Sequence, residues 1–427
     1  MTSGTATARR RSNSGWRRAL APRSAGVVYA LVALVLALTI TSSVQSRPSY
    51  LSSVNVSNIL DQASLTGILA IFMTVVLITG NFDLSVGSTA ALAGTVALKL
   101  IDHYGALIAL LAALLTGVLV GLINGVLVQK VGVNAFIVTL GTLTAVRGVV
   151  QAVLNGQSIT ATDTVFEKFE TARWTMPEGI AIVGGILLIA AGVLLTVRTR
   201  LRQLTAGNVM LVGAGVAFLA IGAFRPLLLN ETVPVWIMIG LAVITSLVLR
   251  YTVVGRNIYA VGGNPEAARL SGINVDRYKM TAFVVNGFVA AGVGVLYAGK
   301  FNSVDPTLLT GSELTVIAAA VLGGTSLFGG SGYVTKSVIG TLILFTLSNG
   351  FNVLNIGSNY QNVVQGSVLV AAAAMYTATS ARGGGFIASA LARRRKAEPE
   401  LPPATATVPE DQSPANTPQM TSAPQSD

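Results

Sequence analysis

Apolar stretches of about 18–25 residues recur along almost the whole chain, the length at which an α-helix crosses a bilayer. They fall near 26–43, 57–79, 84–102, 105–129, 134–154, 178–197, 207–224, 232–251, 279–298, 313–330, 333–351 and 360–380. Hydrocarbon offers no water to satisfy backbone N–H and C=O groups, so such segments must become helices buried in lipid and in one another. The fold expected is an all-α polytopic membrane protein with about 12 membrane segments, some broken or re-entrant. Composition supports this: 52% of residues are hydrophobic and only 11% are charged, about half the charged share of a soluble domain. The net charge of +11 is concentrated at the ends and in a few loops, so membrane lipids and not nucleic acid are the expected surroundings. With no cysteine and the single histidine His103, disulfides and thiol nucleophiles are excluded, no metal site is expected and no catalytic residue is assigned.

Charge also sets organisation and orientation. Residues 1–24 form a basic N-terminus with Arg9, Arg10, Arg11, Arg17, Arg18 and Arg23 and no acid. The apolar run that follows is too long for the core of a cleaved signal peptide and is read as a retained first span. Residues 25–380 are the transmembrane domain. Residues 381–427 are read as a disordered tail, since seven of the 14 prolines lie between Pro399 and Pro424 among Ala, Thr, Ser and Gln. The N-terminal arginines, the cluster Arg198/Arg200/Arg202, the loop 252–278 and the run Arg393–Lys396 all fall on one side of the count. The acidic loop 155–177 falls on the other. By the positive-inside rule both termini are cytoplasmic.

Several motifs carry more than one reading. Gly117, Gly121 and Gly125 recur at four-residue spacing, a device for close helix packing in lipid. The denser set in AAAVLGGTSLFGGSG is able to break a helix, and a broken helix in a membrane is tolerated where it packs in protein or lines an aqueous path. In the turn TGNFDLSVG, Asp83 or Ser85 suits the cap of the next helix, which accounts for the acid without any further role. Asn124, Arg147, Glu313, Asn349 and Gln365 lie in or beside apolar segments, where polar groups face a bundle interior or a water-filled cavity. Each one alone fits a helix–helix hydrogen bond; together they argue for a polar pathway. Asp83, Asn124, Thr139, Arg147, Glu313, Asn349 and Gln365 are the path candidates.

The loop GRNIYAVGGNPEAARLSGINVDRYKM (255–280) is polar and long for a plain connector. Pro265 suits the first turn of a helix, Glu266-Ala267-Ala268 follow, and Gly272 with Ile273 would end it; Asn264 precedes it. Gly272 is placed to need a positive φ. A short helix outside the bilayer, between two spans, is a knob for another protein's groove. Glu266 would either pair with a cation of that partner or simply complement the helix dipole.

EAA-x3-G in such a loop resembles the coupling segment of ABC importer permeases. With YAVGGNPEAARLSGINV, the earlier DLSVGS and NAFIVTLGT, Arg147-Gly148, and the later ELTVIAAAVLGGTSLFGGSG, the chain is similar to the ribose/xylose-type monosaccharide permeases over roughly 50–155 and 250–380. Residues 156–235, with an acidic loop and two extra spans, depart from the shorter ribose type and resemble the longer xylose type. The resemblance implies a permease of the bacterial cell membrane that imports a monosaccharide, D-xylose or a similar sugar. It also implies a second permease copy, an ABC ATPase subunit with paired nucleotide-binding domains docked on the coupling loop, and an extracytoplasmic sugar-binding protein. No cofactor is expected in this chain. It lacks a GxxxxGK[ST] phosphate loop, so ATP-Mg would be bound, and ATP hydrolysed, by the partner subunit. A branched-chain amino acid permease of the same superfamily is the alternative. A secondary transporter fits less well, since acids in mid-span are scarce.

Overall fold

The computed structural model describes residues 22–198, 206–224 and 226–356, with scattered residues between 360 and 370. The basic N-terminus, most of the segment 360–380 including Gln365, and the tail lie outside the described residues. Thirteen α-helices occur among those described: α1 (Pro22–Val44), α2 (Ser53–Ile78), α3 (Val86–Val126), α4 (Ala135–Leu154), α5 (Val165–Thr171), α6 (Glu178–Arg198), α7 (Ala206–Phe224), α8 (Val233–Tyr251), α9 (Val253–Gly263), α10 (Pro265–Leu270), α11 (Val275–Phe301), α12 (Ser312–Leu322) and α13 (Val334–Val353). Two short antiparallel strand pairs staple the loops at one end. Ile159–Thr160 pairs with Ser303–Val304, and Arg173–Thr175 with Asn230–Thr232.

Seven of the described helices are long and apolar enough to cross a membrane. α2 and α11 form the centre, where Leu69, Ile71, Met73, Leu77 and Phe283 are almost wholly buried. α1, α4, α6 and the second half of α3 expose Leu, Ile and Val instead, the surface a lipid environment accepts. α11 lies along both halves of α3. Close approach is possible only because small residues meet: a Cβ on Gly117 would come within 2.1 Å of the Gly287 carbonyl oxygen. The small-residue spacing at Gly117, Gly121 and Gly125 is therefore a packing face, as its period suggests.

Segments 84–102 and 105–129 are the two halves of α3, two helices that double back on each other at Gly105 (φ 78, ψ 164) and so bring Ser85 beside Asn124; a π-helical turn over Leu127–Val131 extends the second. Two other sequence boundaries are corrected. Segment 279–298 is part of a longer helix beginning at Val275, inside the loop assigned to 252–278. Segment 313–330 is no single span. Its helix stops at Leu322 after 11 residues, about 16 Å of rise against a hydrocarbon core of about 30 Å, because the glycine pair 323–324 turns the chain. α6 and α7 pack chiefly on each other through a Gly185–Gly215 crossing and expose Ile180, Val183, Ile186 and Leu187 at the edge of the bundle.

Ion pairs and caps mark the two ends. Asp276 at the start of α11 meets Arg269 (2.9 Å) and Lys130 (3.7 Å), so the π turn and α10 share one end. Asp102 accepts the backbone N–H groups of Thr162 and Asp163, so the Gly105 bend and the acidic loop share the other.

Candidate functional site

Two helices begin inside the bundle, and their N-termini meet. The turn that follows α2 carries Asp83 and Ser85, and α3 starts at Val86. α12 starts at Ser312, with a loop through Leu309 (φ 59) and Gly311 (φ 83) leading into it. A Cβ on Gly87 would lie 2.7 Å from Ser312 Oγ and 2.8 Å from Glu313 Oε2, so glycine is what allows the two starts to touch. A leucine held at positive φ is strained, and such strain persists only where its surroundings enforce it.

From this junction a hydrogen-bonded chain of buried side chains crosses the bundle. Asp83 Oδ1 accepts from Ser85 N–H (3.0 Å) and Ser85 Oγ (2.6 Å), and Asp83 Oδ2 accepts from Asn286 Nδ2 of α11 (2.9 Å). Ser85 Oγ accepts from Asn124 Nδ2 (2.9 Å), and Asn124 Oδ1 accepts from Thr142 Oγ1 of α4 (2.7 Å). Asp83, Ser85, Asn124 and Asn286 are each at most 2% exposed. Asn286 lies about 16 Å along α11 from Val275, which puts the chain at membrane depth. No cation pairs with Asp83 among the described residues; hydrogen bonds and the start of α3 hold the carboxylate. Asn286 Oδ1 has no described partner. The chain ends at Thr142, on the wall of an open groove of about 370 Å³ between α3 and α4 lined also by Val120, Ile123, Leu127 and Ile137.

Arg147 reaches the same junction from α4. Its guanidinium donates to the carbonyls of Leu308 (2.7 Å) and Pro306 (3.2 Å), so it tethers the loop that feeds α12. Glu313 Oε1 accepts from Gly311 N–H (3.2 Å). Four path candidates, Asp83, Asn124, Arg147 and Glu313, thus converge. Two do not. Asn349 donates to Asn55 Oδ1 (3.0 Å), beside the bond from Tyr50 OH to the Thr346 carbonyl, and ties α13 to α2. Thr139 bonds back to the Ala135 carbonyl of its own helix. Ser85, Thr142 and Asn286 complete the chain. Asn286 was legible only as one amide in an apolar run, with no local signal of its partner 203 residues away.

A charged cluster sits at the acidic end. Lys300 of α11 pairs with Asp61 of α2 and, at 3.6 Å, with Glu170 of α5; Thr232 Oγ1 donates to Asp61 Oδ1 (2.7 Å). Ser57 Oγ donates to Glu231 Oε2 (2.7 Å). Burial pushes the Glu170 carboxyl above the usual range, Lys300 pulling it back, and burial does the same to Glu231 against its bond from Ser57. Replacing Lys300 with methionine leaves Asp61 and Glu170 without their cation. It is expected to cost about 2 kcal/mol of stability in detergent, read as a lower unfolding midpoint. Glu170→Gln, which removes a carboxyl that burial already disfavours, should cost much less. Equal losses would contradict the ion-pair account.

At the other end, α10 is a complete capped helix. Asn264 Oδ1 accepts from Ala267 N–H (3.0 Å) and Pro265 occupies the first turn. Gly272 has φ 79, its N–H bonds the Arg269 carbonyl (2.9 Å), and Ile273 N–H bonds the Ala268 carbonyl (3.0 Å). That reciprocal pair is a Schellman motif. Glu266, Ala267 and Leu270 face outward, Leu270 at 91% exposure. Ala268 does not: it is buried against Val261 and Val275, with Ile273 packed beside them, and these residues seat the helix.

The family described as branched-chain amino acid transport system / permease component matches residues 55–176 and 230–373. Residues 177–229, which carry α6 and α7, fall between the matched stretches. The ribose import permease protein of Escherichia coli K12 is 35% identical over 343 residues, covering 80% of this chain and 91% of the relative. The xylose transport system permease protein of the same strain is 35% identical over 368 residues, covering 83% and 93%. That of Haemophilus influenzae Rd is 34% identical, covering 81% and 94%. No solved structure gives a significant match.

Proposed function

Because the chain belongs to the family described as branched-chain amino acid transport system / permease component, we propose that it is the membrane subunit of an ATP-driven importer of D-xylose or a similar monosaccharide. It is a multi-pass permease of the bacterial cell membrane, of the ribose/xylose type, and not itself an enzyme. The observation that carries the sugar reading is near-complete coverage of two sugar permeases at equal identity. The site's chemistry supports it. A neutral polyol needs hydroxyl and amide partners and no charge; of the chain, Thr142 reaches the groove, and Asn124, Ser85, Asp83 and Asn286 stand behind it as a buried polar relay. The chain of polar groups ends at the open groove between α3 and α4, so a second copy facing that groove would close a path between the two.

In this reading α10 docks on a partner ATPase, which binds ATP-Mg, and the acidic end meets a sugar-binding protein. Closure of the ATPases moves α10 and tilts the bundle as packed elements slide. Deleting the gene and measuring uptake of labelled xylose, ribose and leucine tests the substrate class. Loss of xylose uptake, with leucine uptake unchanged, is expected; loss of leucine uptake alone would transfer the chain to amino acids. Orientation has its own test. Single cysteines at Thr162 and Asn264 are both exposed, and a membrane-impermeant thiol reagent added to intact cells should label the first and spare the second. Labelling at position 264 alone would invert the topology.

A further inference from the structure

Three separated stretches of backbone meet at the end of α9 with no side chain between them. A Cβ on Gly262 would lie 1.6 Å from the Ile78 carbonyl oxygen, the last residue of α2, and 2.8 Å from Gly330 N. Gly330 N–H donates to that same Ile78 carbonyl (2.9 Å). Gly329 and Gly330 hold φ of 85 and 71, and a Cβ on Gly329 would lie 2.7 Å from the Gly262 carbonyl oxygen and 2.8 Å from Gly80 Cα. Tyr259 OH of α9 donates to the Gly332 carbonyl (2.8 Å) and pins the 323–332 loop to the same helix. Glycine at 262, 329 and 330 is thus a steric requirement of one joint.

The joint lies between two regions already described. On one side, Asn264 is both the C-cap of α9 and the N-cap of α10, so α10 cannot move without moving Gly262 and Gly263. On the other, Ile78 leads through Gly80 (φ 80) to Asp83, whose carboxylate is bound to Ser85 and Asn286. The 323–332 loop links the joint to the ends of α12 and α13. Backbones in van der Waals contact leave no room to absorb a displacement, so they shift together.

We propose that the Gly262–Ile78–Gly330 joint is the positioning element that carries motion of α10 into the buried chain at Asp83 and into the broken helix α12. This rests on α10 being the segment that docks on the ATPase. Gly262→Ala forces the three backbones apart, while Tyr259→Phe keeps the packing and removes only the bond to the Gly332 carbonyl. Both variants are to be made in the full chain and purified with the native ATPase subunit through a tag on the permease. Three quantities are read: membrane level, co-purified ATPase, and sugar uptake per assembled complex. Gly262→Ala is expected to keep the ATPase bound and lower uptake per complex roughly tenfold, with Tyr259→Phe lowering it about threefold. Uptake per complex at the wild-type level in either variant overturns the proposal. If Gly262→Ala fails to insert, Tyr259→Phe alone decides by the same criterion. Failure of the docking reading looks different: the ATPase would stay bound and uptake intact when α10 itself is distorted, as in Gly272→Val.

Discussion

Asp83→Ala is expected to lower sugar uptake at least about tenfold, while the amount of ATPase that co-purifies with the permease is unchanged. Asp83 is 2% exposed and receives three donors, Ser85 N–H, Ser85 Oγ and Asn286 Nδ2. Truncation leaves Asn286 without any partner for its amide, since its Oδ1 has none among the described residues. A buried polar group left unpaired costs about 1–3 kcal/mol, and Ser85 loses its acceptor as well. The start of α3 would then be released from α11 and, through Ser85 and Asn124, from α4. Asp83→Asn separates hydrogen bonding from charge. Its Oδ1 can still accept from Ser85, and its amide can donate to Asn286 Oδ1 if that side chain turns over. Uptake by Asp83→Asn should therefore stay within a few-fold of wild type. If Asn damages uptake as much as Ala, the charge is what matters; if Ala leaves uptake within about twofold, the buried chain is not part of the path. An Asn286→Ala variant should add little to Asp83→Ala, because the two remove one shared interaction.

How far the sequence reaches depends on the range of the interaction. Helix length and apolarity are local, so α1, α2, α4 and α13 lie close to where hydropathy places them. Both ends of α10 are also local: Asn264 and Pro265 start it and Gly272 ends it in the Schellman motif, all within nine residues. The small-residue face of α3 follows from a four-residue period. Hydropathy, however, scores side chains and not the course of the backbone. By hydropathy alone 313–330 therefore reads as one crossing, and only its dense glycine set signals the break that ends the helix at Leu322. Residues 155–177 read as an acidic loop, and nothing local shows that Glu170 is buried against Lys300, 130 positions further on. Asn349 and Asn286 are both isolated amides in apolar helices. Only the fold tells that one ties α13 to α2 and the other holds Asp83. The sequence also gives no sign that the 323–332 glycines touch α9, since their partners lie in two other segments.

Gly272→Val is expected to weaken ATPase association about tenfold and to remove sugar uptake, without any change at membrane depth. The cause is conformational. Nothing lies within 4 Å of a Cβ built on Gly272, so the substitution meets no neighbour. What it meets is its own backbone: at φ 79 a β-branched residue is strongly disfavoured, by about 1–2 kcal/mol or more. The chain relieves that strain by leaving the left-handed region. The bonds from Gly272 N–H to Arg269 and from Ile273 N–H to Ala268 then break together. Ile273 leaves the small cluster of Val261, Ala268 and Val275 that seats the helix, and Leu270 no longer projects as a fixed knob. A graded series isolates this mechanism. Asparagine tolerates the left-handed region and should retain most of the association, alanine should be intermediate, and valine worst. The measurement is the ratio of ATPase to permease purified from membranes, with uptake alongside. If asparagine fails as badly as valine, a flush glycine surface against the partner is what matters, and the φ argument is wrong. If valine leaves both association and uptake intact, α10 is a connector and the ATPase docks elsewhere.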